Sequence, residues 1–419
     1  MENSAFNRPE FPIKGPAAKP RAVVALSGGV DSAVTAALLK ERGYAVSAVS
    51  LRMWPGACMA DAQRAAEALE IPLEVIEAGA LFRKQVIEPF IRAYQHGQTP
   101  NPCVLCNRFL KFGLLLEYAR ERKALLATGH YAQVVKRPEG LALHRAQSLE
   151  KDQSYFLFNL KEAQLEDIVF PLGGFSKCHI RRLAQGYGLE VASKPDSMEV
   201  CFIPGSYRAF LEAEGLHMPG GDIVDTGGNV LGRHEGLHRY TLGQRRGLGN
   251  LGKPTAQYVV RLEAAHNRLV VGEKAEVFSR RFALEAPSWV RGEPPLHRRL
   301  RVCIRHQHAG AMGQLQREGE GYAVELEEAV AAPTPGQAAV FYEAEEVLGG
   351  GWIGPPQRPI LTPSNKAPHA GVGLKCTKSA SPSRLWAKAV ANGHFPPAFA
   401  AGGGPCPPPT TGYARGQRG

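Results

Sequence analysis

Residues 22–32 read Ala22-Val23-Val24-Ala25-Leu26-Ser27-Gly28-Gly29-Val30-Asp31-Ser32. Five apolar residues without polar alternation suit a strand buried on both faces, as in a parallel sheet. The two glycines let the chain turn tightly and bring backbone amides close to an anion. A helix is expected from about Asp31, with Val34, Ala37 and Leu38 on one face and Gly43 as its stop. Its N-terminus would offer free N–H groups and a positive dipole end, and Ser27 and Ser32 add hydroxyls. A Walker A loop carries a Lys before its final Ser or Thr, and none is present here. Asp31 fits such an anion-binding loop only if it holds Mg²⁺ or caps the helix. For Ser27-Gly28-Gly29 alone, a plain strand-to-helix turn is the simpler reading. The whole string between a buried strand and a helix favours a phosphate site.

Working outward, residues 45–51, 73–76 and 125–128 read as further strands, the last closing the series. Residues 59–69, 82–94 and 109–122 read as helices, the last with Phe109, Phe112, Leu116 and Ala119 on one face. Strands alternating with helices predict a parallel sheet covered on both faces. Residues 154–215 read as mainly helical. From about Gly221, short β-rich runs occur at 257–262, 268–271, 299–304, 322–326 and 338–342, predicting a small barrel and a linker hairpin. The expected architecture is α/β. An irregular leader (1–20) precedes a parallel-sheet nucleotide-binding and catalytic domain (21–215). A helical and linker region (central domain 216–285), a C-terminal β-barrel-like domain (286–358) and a disordered basic tail (359–419) follow.

The formal charge is +11. Residues 361–419 hold four Lys, three Arg and no acid, so they carry +7 and leave +4 on the body. That mild basicity is compatible with a nucleic-acid partner without establishing one. No apolar run approaches the roughly 18 residues of a membrane helix. The first twenty residues include Glu2 and Glu10 and no apolar core segment, so no secretory signal is read. The expectation is a cytoplasmic protein with no membrane partner, in which the eight cysteines do not form a disulfide framework.

Two cysteines stand out, in Thr99-Pro100-Asn101-Pro102-Cys103-Val104-Leu105-Cys106. Two prolines stiffen the approach. Cys106 lies just before the expected helix, whose N-terminus lowers a thiol pKa, and Arg108 and Lys111 are expected to lower it further. This is a setting for a nucleophile. The Cys-x-x-Cys spacing alone is equally compatible with half a zinc site, a redox pair or cluster ligands, although no second such pair completes a zinc site. Cys201, in Val200-Cys201-Phe202-Ile203, reads locally as a buried apolar thiol.

Together these motifs resemble the bacterial tRNA-specific 2-thiouridylase family, whose phosphate loop is the PP-loop of ATP pyrophosphatases. The likeness runs from about Arg21 to Ile353. It takes in Thr128-Gly129-His130-Tyr131, Lys151-Asp152-Gln153-Ser154-Tyr155, Tyr240-Thr241-Leu242-Gly243-Gln244-Arg245-Arg246, Thr334-Pro335-Gly336-Gln337 and Leu348-Gly349-Gly350-Gly351. The resemblance implies ATP-dependent activation of the wobble uridine (U34) at its C2 oxygen, followed by sulfur transfer. ATP and Mg²⁺ are the implied cofactors. The implied partners are tRNAs for Lys, Glu and Gln and a sulfur donor, either a cysteine desulfurase or a relay protein. By position, Ala25, Leu26, Ser27, Gly28, Gly29, Val30, Asp31 and Ser32 would bind ATP phosphates, with Asp31 also catalytic, and Leu51 and Gly129 would touch adenine or ribose. Asn101, Pro102 and Cys103 would meet the target base. His130, Lys151, Asp152, Gln153, Arg305, His306 and Gln337 would contact tRNA. Cys106 would be the nucleophile and Cys201 the persulfide carrier.

Two departures bear on mechanism. Some members carry Asp where this chain has Cys103, a candidate proton-transfer group that is lost here. Glu199-Val200 replaces a frequent Gly-Ile before Cys201. Three thiols at 103, 106 and 201 resemble members that hold a [4Fe–4S] cluster, so a cluster route and a persulfide route both stay open, the former slightly favoured by Cys103. Three rival readings share some of these motifs. A PP-loop synthetase acting on a small metabolite would not need paired thiols. A four-thiouridine synthase-like enzyme would carry N-terminal RNA-binding modules. A non-catalytic RNA-binding module would not need the thiols at all.

Overall fold

The computed structural model describes residues 19–54, 56–193, 200–203, 205–294 and 296–355. The tail (359–419), nearly all of the leader and residues 196–199 before Cys201 lie outside them. The first sheet is built from β1 (Arg21–Ala25), β2 (Ala45–Arg52), β3 (Leu73–Glu77) and β4 (Leu125–Ala127). The hairpin β5 (Ala132–Arg137) and β6 (Gly140–Arg145) follows, then β7 (Ile168–Val169). The sheet is five-stranded, all parallel, in the order β3-β2-β1-β4-β7. The expected fourth strand is therefore not the last: β7, two residues long, lies beyond it. Among the described residues of 154–215, this strand and five short helical pieces stand in place of the mainly helical stretch expected.

Alternate residues of β1 feed two cores. Ala22 and Val24 pack with Ala33, Leu38 and Leu39 of the helix Val30–Glu41. Val23 faces Val49, Phe112, Leu116 and Leu126 on the other side. Full burial of such aliphatic and aromatic side chains contributes about 1.5–3 kcal/mol each. The helix Val30–Glu41 stops where sequence predicted, at Gly43, whose φ of +83° closes the last turn.

A central sheet follows, from β8 (Gly221–Asp225), β9 (Val230–His234), β10 (Tyr258–Glu263) and β11 (Arg268–Gly272), in the order β10-β11-β8-β9. Six antiparallel strands then close a barrel: β12 (Phe278–Trp289), β13 (Leu300–Cys303), β14 (Ala311–Glu318), β15 (Gly321–Ala331), β16 (Ala338–Glu343) and β17 (Glu346–Ile353). The circuit is β12-β15-β14-β13-β16-β17, shut by β12 against β17. β12 runs unbroken through position 285, after which a division between domains is expected from sequence.

The glycine run of β17 lets the barrel close and dock. A Cβ on Gly349 would lie 2.3 Å from the Ser288 carbonyl oxygen. One on Gly350 would lie 2.5 Å from the Ala339 oxygen and 3.0 Å from the ring of Phe158. Phe158 is completely buried in a core that Leu116 and Val23 share with Val340, Tyr342 and Val347 of the barrel. The hairpin β5–β6 extends the barrel sheet through His144 opposite Glu346. The nucleotide-type domain and the barrel thus share one hydrophobic core.

Candidate active site

The sheet order changes direction at β1 and β4, which are adjacent while β2 lies on the other side of β1. Clefts for nucleotides form beyond the carboxyl ends of strands at such a switch point. Leu26–Gly29 leave β1 there, and Thr128, Gly129 and His130 leave β4 there. Gly28 has φ +78°, and a Cβ on it would sit 2.5 Å from Asp61 Cβ. Only glycine lets the loop turn beneath the helix Ala60–Ala68. A Cβ on Gly129 would lie 2.9 Å from Ser32 N, so this glycine lets the two loops touch. The Ser32 hydroxyl donates to the Gly29 carbonyl (3.0 Å) and accepts from Ser27 N (3.2 Å), holding the loop closed. Leu26 and Val30 are buried, which leaves only their backbone to face a ligand. Leu51, near the end of β2, packs between two cores.

Asp31 is not the helix cap. Gly29 holds that position without a side-chain bond. The Asp31 carboxylate instead takes Lys177 Nζ at 2.8 and 2.7 Å and the Tyr131 hydroxyl at 2.8 Å. Lys177 begins the helix Lys177–Gly186, capped by Ser176. A cation at that end opposes the helix dipole, and the pairing with Asp31 compensates. Sequence reading missed Lys177, since 146 residues separate it from Asp31.

Cys106 is the last residue of the helix Pro102–Cys106, which continues directly into a π-wound segment, Asn107–Leu114. The expectation that it stands at a helix N-terminus with a lowered pKa is overturned. Cys106 is buried while Cys103 and Cys201 reach the surface, so Cys201 is not the buried thiol its local sequence suggests. Desolvation nonetheless pushes Cys103 and Cys106 up, and Lys111 opposes this. Cys201 is pushed up to about 11, by desolvation first and then by the charges of Cys106 and Cys103, again against Lys111. The three thiols thus lie within electrostatic reach of one another and share one cation. Arg108, expected to assist, acts elsewhere: its guanidinium lies over the Phe109 ring at 5.1 Å. Winding by i→i+5 bonds shifts residues after Cys106 around the helix relative to an α-turn, a feature frequent at functional sites.

His130 joins the two centres. It is buried, shares a 2.7 Å hydrogen bond through Nδ1 with the Thr128 hydroxyl, and receives Lys111 Nζ on Nε2 at 3.4 Å. Burial, then Lys111, holds its pKa well below the usual imidazole range. Phe202 anchors the neighbouring Cys201 by ring contacts of 5.3–5.6 Å to Phe82, Phe90 and Phe210, in the core that also contains Cys106. Among the described residues, no three His, Cys, Asp or Glu side chains meet as a metal-binding group.

The residues expected to meet RNA are divided between the first domain and the barrel, and several of their side chains have internal partners. Gln337 Nε2 donates to the Thr99 carbonyl at 2.9 Å, bracing the loop that carries Asn101, Pro102 and Cys103. His306 Nε2 bonds the Asp152 carbonyl at 2.7 Å. Gln153 Oε1 accepts from Tyr131 N at 3.0 Å. Lys151 is half-buried, and Arg305 is exposed with a weak bond to the Ala331 carbonyl. Asp152 is buried and accepts from Arg145 Nε (3.1 Å), Ala146 N (2.9 Å), Ser154 N (3.2 Å) and Ser154 Oγ (2.9 Å). Replacing Asp152 by Ala strands a largely buried Arg145. We expect a loss of about 3–5 kcal/mol in denaturant unfolding, with Asp152→Asn losing less. Unchanged stability in the Ala variant would mean that the carboxylate faces solvent rather than this network.

A glycine-tightened phosphate loop at the switch point of a parallel sheet defines an ATP-using enzyme domain of the PP-loop, or HUP, class. Three family models match in order: the tRNA methyl transferase HUP domain over residues 20–205, the tRNA methyl transferase PRC-barrel domain over 208–273 and the aminomethyltransferase beta-barrel domain over 279–353. The chain is 44% identical over 344 residues to tRNA-specific 2-thiouridylase MnmA of Trichlorobacter lovleyi, covering 80% of this chain and 97% of that protein. It is 45% identical to the 2-thiouridylase of Pelobacter propionicus (79% and 96% covered) and 42% identical to that of Chloroflexus aurantiacus (80% and 98%). The chain belongs to the tRNA-specific 2-thiouridylase family.

Proposed function

We propose that this chain binds ATP beyond β1 and β4, activates the wobble uridine of tRNA and replaces its C2 oxygen with sulfur. The observation that carries the reading is the bridge at His130: one residue from the glycine that touches the phosphate loop, and bonded to the cation shared by three thiols. Uracil O2 is a poor leaving group. In the first step it attacks the α-phosphorus of ATP, pyrophosphate departs, and the base carries AMP on O2. Loop amides and the helix N-terminus stabilise the charge that develops on the phosphates. Mg²⁺ would neutralise phosphate charge there, and one carboxylate plus substrate phosphates is a usual ligand set. Asp31 is the carboxylate at hand.

In the second step Cys201 carries a persulfide received from a donor protein. Its terminal sulfur attacks C2, and AMP leaves with the original oxygen. Cys106 then attacks the Cys201 sulfur, breaking the S–S bond to release 2-thiouridine and forming a Cys106–Cys201 disulfide. An external thiol reductant returns both to thiols, in keeping with a cytoplasmic setting. Cys103 has no part in either step. The test is nucleoside mass analysis of unmodified tRNA incubated with the protein, ATP, Mg²⁺ and a persulfide donor. Metal-free protein is expected to form 2-thiouridine and release pyrophosphate, and Cys103→Ser to retain most of that activity. Loss of activity in Cys103→Ser, together with iron and sulfide in anaerobically prepared wild type, would overturn the persulfide route.

A further inference from the structure

We infer that a small pocket behind the π-wound segment is a subsite for the RNA backbone, taking one ribose 2′-hydroxyl with its adjoining phosphate. This rests on the tRNA reading above and assigns a contact to residues outside the set already described.

The pocket lies between Asn107, Arg108, Asn159 and Gln164, with Phe112 and Phe156 as its apolar walls. Its volume is about 20 Å³, room for one hydroxyl or water oxygen and no more. Asn107 is buried, and its Nδ2 donates to the Phe156 carbonyl at 3.2 Å. That bond fixes the amide and leaves Oδ1, a buried acceptor, without a partner. Asn159 Nδ2 is likewise a buried donor without a partner. Buried polar atoms of this kind cost about 1–3 kcal/mol each if left bare. A group seated between these two residues and bonded to both atoms would have to donate and accept. An ammonium only donates and a carboxylate only accepts, whereas a hydroxyl does both.

The rim adds charge. Among the described residues, Arg108 and Lys161 have no carboxylate partner. Arg108 lines the pocket, and Lys161 is near enough to feel its repulsion while its Nζ donates to the Trp289 carbonyl at 2.8 Å. A hydroxyl-sized niche beside two uncompensated cations matches a ribose next to a phosphate. The 2′-hydroxyl, both donor and acceptor, is the group that separates RNA from DNA. Asn107 directly follows Cys106 in the chain.

The test is a 2′-deoxy scan of an anticodon stem–loop RNA, one nucleotide at a time, measuring binding to wild type and to Asn159→Leu. In wild type one loop position should lose about 3- to 10-fold in affinity when its 2′-hydroxyl is removed, as for a single net hydrogen bond. In Asn159→Leu that position should become silent while the others keep their sensitivity. Arg108→Gln, a surface change, should weaken every RNA equally and reduce the salt slope of binding by about 0.7–0.9. An unchanged scan in Asn159→Leu, with an unchanged salt slope in Arg108→Gln, would overturn the inference. So would a lowered melting temperature of Asn159→Leu with RNA binding untouched, since the pocket would then hold only a structural water. If wild type binds and thiolates tRNA in either case, the assigned reaction stands and only the subsite fails.

Discussion

Asp31→Ala is expected to lower tRNA-dependent pyrophosphate release by at least about 10²–10³-fold, the usual effect of removing one group that organises developing charge. Asp31 lies in the first turn of the helix that follows β1, and its carboxylate gathers Lys177 and Tyr131 at 2.7–2.8 Å. Without it the Lys177 ammonium loses its partner at the mouth of the phosphate loop, and the carboxylate available to Mg²⁺ is gone. The fold should survive. Asp31 caps nothing, but Lys177 is only 13% exposed, so stranding it lowers stability. Asp31→Asn, which keeps an acceptor for Lys177 and Tyr131, limits that loss and should show the same fall in pyrophosphate release. Pyrophosphate release at the wild-type rate, in a variant with a near-normal melting temperature, would show that Asp31 is a structural partner of Lys177 and nothing more.

Cys106→Ser and Cys201→Ser should each stop 2-thiouridine formation completely while ATP binding and pyrophosphate release continue. Activation uses the loop, and sulfur delivery uses the thiols. Among the described residues His130 and Lys111 link the two centres, and each loss should be confined to one half-reaction. The pH dependence follows from burial. During sulfur transfer Cys201 is already a persulfide, so the thiol that must ionise is Cys106, which burial holds above its ordinary value, and the thiolate is the reactive form. Single-turnover sulfur transfer should therefore climb with pH through the neutral range, close to tenfold per unit. Pyrophosphate release needs no thiolate and should lack that climb. Lys111→Met removes the cation that favours the thiolates and should displace the climb to higher pH. A sulfur-transfer rate independent of pH between about 7 and 9 would contradict this account, as would loss of pyrophosphate release in either Cys variant.

The phosphate loop was legible because its signals are local: an unbroken apolar strand, two glycines and the start of a helix within eleven residues. The thiols were legible as residues but not in their chemical state. The π-wound continuation has no distinctive composition, so a helix start was expected where Cys106 actually sits inside a continuous helical run. β7 is two residues long, too short for any periodicity to register. Lys177 could not be paired with Asp31 from sequence, nor Gln337 with the Thr99 loop 238 residues away, because such contacts exist only once the sheet and the barrel are assembled. The family resemblance supplied the set of expected RNA contacts. The structure adds that Asp152, Gln153 and His306 also hold the assembly together.

The shared core has a consequence for how this architecture can be recombined. Phe158 sits against the glycines of β17, Tyr155 donates its hydroxyl to the Ala338 carbonyl at 2.9 Å, and hairpin β5–β6 continues the barrel sheet. A graft that exchanged the barrel for that of a distant relative would break a hydrophobic interior rather than cut a linker. The exchangeable unit is the barrel together with residues 132–160 of the first domain, which lie between the β4 loop and β7. Any lineage that altered one of these pieces would have had to alter the other in step.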